Sequence, residues 1–80
     1  MPTLREARLR RLLSIRALAQ QAGVVPNTVH LVETGQRVPQ LLTAYKLSRA
    51  LDVEPDDVTE FRDALAAAVD RRERKEQDDG

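Results

Sequence analysis

Apolar residues recur along this chain at helical intervals. Leu4, Ala7 and Leu12, with Leu9 and Leu13, mark a first helix beginning near Thr3. Thr3 is a good N-cap, and Glu6 three residues later completes a capping-box pattern, in which each residue's side chain satisfies the other's backbone N–H. Ile15, Leu18, Ala19 and Ala22 form an i, i+3, i+4, i+7 stripe, which predicts a second helix from Ile15 to Ala22, capped by Ser14 and ended by Gly23.

The stretch GVVPNTVHLVETG, residues 23–35, is the ambiguous one. Two adjacent valines suggest a strand, but proline has no N–H to give a central ladder. Read as a helix, the stretch resolves. Pro26 takes the first helical position, where its missing N–H costs nothing. At about 100° per residue, Val25, Val29 and Val32 fall on one side, and Asn27, His30, Leu31 and Thr34 on the other. Gly35 ends the helix, which is too short to be stable without tertiary packing. Two short helices joined by a turn containing glycine form a helix-turn-helix arrangement.

Beyond a polar loop, Pro39 is expected to open a fourth helix whose buried side is Leu41, Leu42, Tyr45, Leu47, Ser48 and Leu51. Residues 52–55 read as a turn. Pro55 suits a first helical position, with Asp56 and Asp57 at the positive helix end. Val58, Phe61, Leu65, Ala68 and Val69 continue at helical spacing. From Asp70 onward the chain has almost no apolar content and is expected to fray. The pattern therefore predicts an all-α domain of five helices, spanning residues 1–61, with a helical extension and charged tail over 62–80.

At 80 residues the chain is one small domain that buries only about 60% of its unfolded surface. It has no cysteine, so neither a disulfide framework nor a thiolate metal site is possible. The lone His30 has no partner for a metal site, and no cofactor is expected. No run approaches a membrane span or a signal-peptide core. No paired carboxylates, nucleophile–histidine pattern or phosphate loop points to an enzyme. The net charge is zero, but its distribution is uneven. Residues 1–49 hold eight basic residues against two acidic, whereas residues 50–80 hold five basic against eleven acidic. Such a split suggests a polyanion-facing region and a separate acidic one.

The motifs L-R-x-A-R (4–8), L-S-x-x-x-L-A-x-x-A-G-V (13–24), T-V-x-x-V-E-x-G (28–35), Pro39 and L-x-x-A-Y-x-L-S-x-A-L-x-V (41–53) together resemble the phage-repressor/Cro (Xre-type) family of helix-turn-helix DNA-binding domains, from Leu4 to Phe61 without a gap. The resemblance implies a compact, lambda-repressor-like five-helix fold and a cytoplasmic transcription regulator of bacterial or phage type, nucleoid-associated when bound. It implies that the helix Pro26–Glu33 lies in the major groove of double-stranded DNA.

On that reading Asn27 is the leading base contact, because its amide donates and accepts at once and matches the N6/N7 edge of adenine. His30 donates to a base or a phosphate, or is merely solvated. Leu31 touches a thymine methyl or packs under the neighbouring loop. Pro26 starts the helix and sits near sugar or methyl groups, and Thr28 is expected to bond back to backbone at the turn. By resemblance, phosphate contacts fall to Arg16, Gln20, Thr34, Gln36, Arg37 and Gln40, with backbone N–H groups at helix starts adding to them. Arg8 and Glu33 form the family's structural pair, with Arg8 also near a phosphate.

Four positions depart from the family pattern. Ile15 replaces a polar residue after the second helix cap, Val25 replaces a capping Ser or Thr, Leu31 stands where a polar residue is common, and Leu12 stands where a glycine often precedes Leu13. The expected function is a sequence-specific regulator, a repressor acting as a homodimer on an inverted repeat. The stripe Val58, Phe61, Leu65 and Val69 either supplies the dimer contact or covers the domain's own core; Val58 and Phe61 are expected in the core, and Leu65 and Val69 are open to either role. The alternative is a protein-interaction module on a helix-turn-helix scaffold, an antitoxin or adaptor with weak or no DNA binding, whose acidic C-terminal half binds a basic partner.

Overall fold

A computed structural model describes residues 1–78 of the chain, with side chains through residue 72. Five α-helices follow in order: α1 (Leu4–Arg10), α2 (Ile15–Ala22), α3 (Pro26–Glu33), α4 (Leu41–Leu51) and α5 (Thr59–Asp78), with a single 3₁₀ turn at Pro55–Asp57. Among the described residues there is no strand.

The starts of α1 and α2 follow from their caps. The Glu6 N–H donates to Thr3 Oγ1 at 3.2 Å and the Thr3 N–H to Glu6 Oε1 at 3.5 Å, the reciprocal capping box. The Ala17 N–H donates to Ser14 Oγ at 3.0 Å. Gly23 closes α2 in the left-handed region at φ 73°, and the Val24 N–H bonds to the Ala19 carbonyl at 2.9 Å. Asp52 does the same for α4 at φ 55°, a conformation that aspartate tolerates better than most side chains.

One core joins all five helices: Leu4 and Ala7 of α1, Leu18 and Ala19 of α2, Val29 and Val32 of α3, Ala44, Leu47 and Leu51 of α4, and Phe61 and Ala64 of α5, with Val58. The start of α5 is fastened to the chain's beginning. The Leu4 N–H donates to Glu60 Oε1 at 2.9 Å, and the Thr59 N–H to the Pro2 carbonyl at 3.1 Å.

Several expected positions differ. Leu9 is half-exposed inside α1, off the buried side formed by Leu4, Ala7 and Arg8, and Leu12 is 93% exposed because α1 stops at Arg10 and the backbone turns left-handed at Leu12. Val25 is also exposed: it is the extended N-cap residue of α3, outside the helical stripe. Pro39 is buried but does not open α4, because Gln40 is still extended and serves as the N-cap. The buried stripe of α4 is Ala44, Leu47, Ser48 and Leu51, which leaves Leu41, Leu42 and Tyr45 on the outside. Ser48 is accommodated because its hydroxyl donates to the Tyr45 carbonyl at 2.8 Å. Pro55 opens only a 3₁₀ turn, since Val58 is extended and α5 starts afresh at Thr59. Where fraying was expected after Asp70, the backbone stays helical to Asp78, in a segment rich in good helix formers. Residues 79 and 80 lie outside the described residues.

Leu12 has φ 57° with its side chain in solvent, so it bears the left-handed penalty of about 1–2 kcal/mol for an L-residue without any packing in return. The missing glycine noted in the sequence belongs at this position. Leu12→Gly is expected to raise stability by roughly 0.5–1 kcal/mol, after allowing for glycine's greater freedom in the unfolded chain. Urea unfolding checks this: the midpoint should rise with an unchanged slope.

Candidate nucleic-acid interface

The candidate surface is built on α2, the turn after it, and α3. Val29 and Val32 are fully buried and seat α3 on the core. Asn27, His30 and Thr34 are exposed on its far side, with Leu31 half-buried among them. Pro26 is exposed at the first position of α3. The N-terminus of α3 has no side-chain cap, and the Thr28 N–H turns back to the Val25 carbonyl at 3.0 Å. The Thr28 hydroxyl makes no bond to backbone among the described residues, contrary to expectation, and its side chain instead lines a cleft.

What fixes the far end of α3 is a buried ion pair. Arg8 Nε donates to Glu33 Oε2 at 2.7 Å and Nη2 to Glu33 Oε1 at 3.0 Å, a two-pronged contact between planar groups. The third nitrogen, Nη1, donates to the Leu13 carbonyl at 2.8 Å. One side chain thus holds α1, the α1–α2 link and α3 together. The hydrogen bond that Arg8 donates to Glu33 holds the Arg8 pKa above its ordinary value, with burial opposing and the carboxylate's charge assisting. The two side chains are only 10% and 6% exposed, which leaves Arg8 turned inward and not placed to meet a phosphate.

The remaining basic residues divide by what they touch. Arg11 donates from Nε and Nη2 to the Leu51 carbonyl, at 3.0 and 2.8 Å, satisfying an orphan carbonyl at the end of α4. Nothing in the sequence separates Arg11 from its neighbour Arg10 for this task. Arg49 sits over the Tyr45 ring, 5.8 Å from its centroid. Arg16 and Arg37, by contrast, are exposed and make no ion pair or side-chain hydrogen bond among the described residues. The same holds for the side chains of Gln20, Asn27, His30 and Gln40. Arg16 and Gln20 lie one turn apart on α2, where the first-turn N–H groups of Ile15 and Arg16 precede the Leu18 N–H bond to the Ser14 carbonyl.

The loop after α3 is ordered by its own bonds. Gly35 takes φ 78°, and the N–H groups of Gln36 and Arg37 both donate to the Leu31 carbonyl, at 3.0 and 3.2 Å. The Thr34 hydroxyl donates back to α3, 3.0 Å from the His30 carbonyl, and accepts from Gln36 Nε2 at 3.0 Å. Thr34 therefore holds Gln36 in place and has no donor of its own to offer a phosphate. Thr28, Arg37 and Gln40 share a cleft with Val38, Pro39, Thr43 and Arg71, the last reaching in from α5. Arg71 lies outside the residues singled out from sequence, since nothing local joins position 71 to position 37.

Among the described residues, no group of His, Cys, Asp or Glu is arranged to hold a metal ion, and no helix is long and apolar enough to cross a membrane. A family model described as helix-turn-helix matches residues 4–58. No curated protein and no solved structure matches the chain significantly.

Removing one partner of the buried pair strands a charge. Glu33→Ala is expected to cost about 3–5 kcal/mol. The charge-free double variant Arg8→Met with Glu33→Leu should recover much of that loss, and urea unfolding of the three proteins distinguishes stranded charge from lost packing.

Proposed function

This chain belongs to the phage-repressor/Cro (Xre-type) helix-turn-helix family of DNA-binding domains, and we propose that it is a sequence-specific transcriptional regulator. It reads the major groove with α3 and represses by occupying its site. The observation that carries this reading is the outward face of α3, where Asn27 and His30 are exposed with uncommitted side chains on a helix fixed by Val29, Val32 and the Arg8–Glu33 pair. A base-reading side chain has to be free to bond yet fixed in position, and this face offers both conditions. Asn27, near the helix start, is the principal base contact, with His30, Leu31 and Pro26 beside it. Arg16, Gln20, Gln36, Arg37 and Gln40 hold the phosphates, and Thr34 acts through Gln36. The protein works by binding, in the cytoplasm of a bacterium or on phage DNA, with no cofactor.

The active form is a homodimer on an inverted repeat, its two α3 helices about 34 Å apart. Support comes from an apolar groove between α4 and α5, lined by Leu41, Ala44, Tyr45, Pro55, Phe61 and Leu65. Leu41, Tyr45, Leu65 and, one turn beyond Leu65, Val69 are about half exposed, while Val58 and Phe61 are in the domain's own core. The second reading, an antitoxin or adaptor, rests on the acidic balance of residues 50–80, with eleven acidic residues against five basic.

Binding titrations on a selected duplex and its single-base variants test the assignments. Asn27→Ala should lose discrimination at one base pair, about 1–3 kcal/mol, and leave the others intact. Arg16→Ala should weaken all duplexes alike and lower the salt slope by about 0.9. If both variants match wild type, the DNA surface lies elsewhere. Separately, Leu65→Glu should give a monomer in sedimentation that still binds a half-site but loses its preference for the inverted repeat. An unchanged sedimentation profile would exclude this face as the dimer contact.

A further inference from the structure

We infer that Arg71, on the C-terminal helix α5, forms with Arg37 a second backbone-phosphate site, so that α5 grips the same duplex that α3 reads. This rests on the DNA-binding reading above and extends it to a helix that the charge count alone assigns to an acidic, non-DNA half. The cleft between α3, α4 and α5 has a volume of about 540 Å³ and is lined by Thr28, Arg37, Val38, Pro39, Gln40, Thr43 and Arg71. Two features single it out. It brings together two guanidinium groups from residues 34 positions apart in the chain, neither with an ion pair or hydrogen bond among the described residues. Among the described residues no carboxylate lines it.

Elsewhere in this protein arginines that face protein are partnered, as the buried Arg8 is by Glu33 and the exposed Arg11 by the Leu51 carbonyl. Two like charges facing one cleft, with no counter-charge among the described residues, repel each other, and an anion placed between them turns that repulsion into two attractive contacts. The other groups suit the same ligand: Gln40 supplies an amide and Thr28 and Thr43 hydroxyl groups, while Val38 and Pro39 are the apolar part of a mostly polar described lining. Position identifies which anion. Thr28 is in the first turn of α3, directly after Asn27, so an anion in the cleft lies alongside the helix proposed to read bases. A phosphodiester of the bound duplex meets that description. The guanidinium fork suits phosphate oxygens, and the contact carries no sequence information.

The test is the salt dependence of duplex binding by the full chain, comparing wild type with Arg37→Ala, Arg71→Ala, Arg71→Lys and Arg62→Ala. Arg62 is on the same helix but at its other end, near Met1, and controls for the loss of one positive charge. Each lost phosphate contact should lower the slope by about 0.9, so a fourfold rise in salt weakens binding by about 3.5-fold less than in wild type. That outcome is expected for Arg37→Ala and Arg71→Ala, with Arg71→Lys and Arg62→Ala keeping the wild-type slope. If Arg71→Ala follows Arg62→Ala while Arg37→Ala lowers the slope, the α5 contact is overturned and the DNA-binding reading stands. If wild type itself binds duplex without salt dependence, or not at all, both fall together.

Discussion

The Arg8–Glu33 pair is the constraint on which the geometry of the surface depends. α3 has eight residues, too few to hold a helical conformation unaided, and its first residues have no side-chain cap. Two buried valines fix its distance from the core but leave a two-turn helix free to pivot about them. The two-pronged contact of Arg8 with Glu33, with Nη1 on the Leu13 carbonyl, removes that freedom at the helix's far end. A salt bridge this buried adds little net stability over a hydrophobic pair of the same volume. What it fixes is orientation, because the planar fork accepts the carboxylate in one geometry.

Around that tie the arginines divide by what they bond to. Buried Arg8 and exposed Arg11 bond to protein, whereas Arg16, Arg37 and Arg71 are exposed without partners among the described residues. Summed charge hides this division. A chain of zero net charge, or a half-chain with a surplus of acid, still presents basic groups where the fold collects them. The cleft lined by Arg37 and Arg71 is the clearest case, since one comes from the basic half and the other from the acidic half.

Local signals in the sequence were strong enough to place some elements and not others. Thr3 with Glu6, Ser14, Gly23 and Pro26 each act on backbone groups within four residues, and they set the start of α1, both ends of α2 and the start of α3 correctly. The errors fall where the deciding contact is distant. Apolar spacing cannot tell which of Leu41, Leu42, Ala44 and Tyr45 faces the core, because that depends on how α4 lies against α2 and α5. Pro39 looks like a helix starter yet is buried in the loop, with Gln40 as the cap. Leu12 extends a hydrophobic pattern past the end of α1, and Leu9 lies within α1 but off its buried side. Of the candidate surface, the polar face of α3 was readable from periodicity, while the pairing of Arg8 with Glu33, 25 residues apart, came only through family resemblance. The arrival of Arg71 beside Arg37 had no sequence signal at all.

The central claim is that this fixed helix reads DNA sequence. The most direct measurement is selection of the full chain on a random duplex library at low and moderate salt, followed by sequencing of the bound fraction. The account predicts an enriched inverted repeat with half-sites about 10–10.5 bp apart, centre to centre, retained at moderate salt. Retention without enrichment, lost steeply as salt rises, would reduce the interaction to phosphate attraction and contradict the claim.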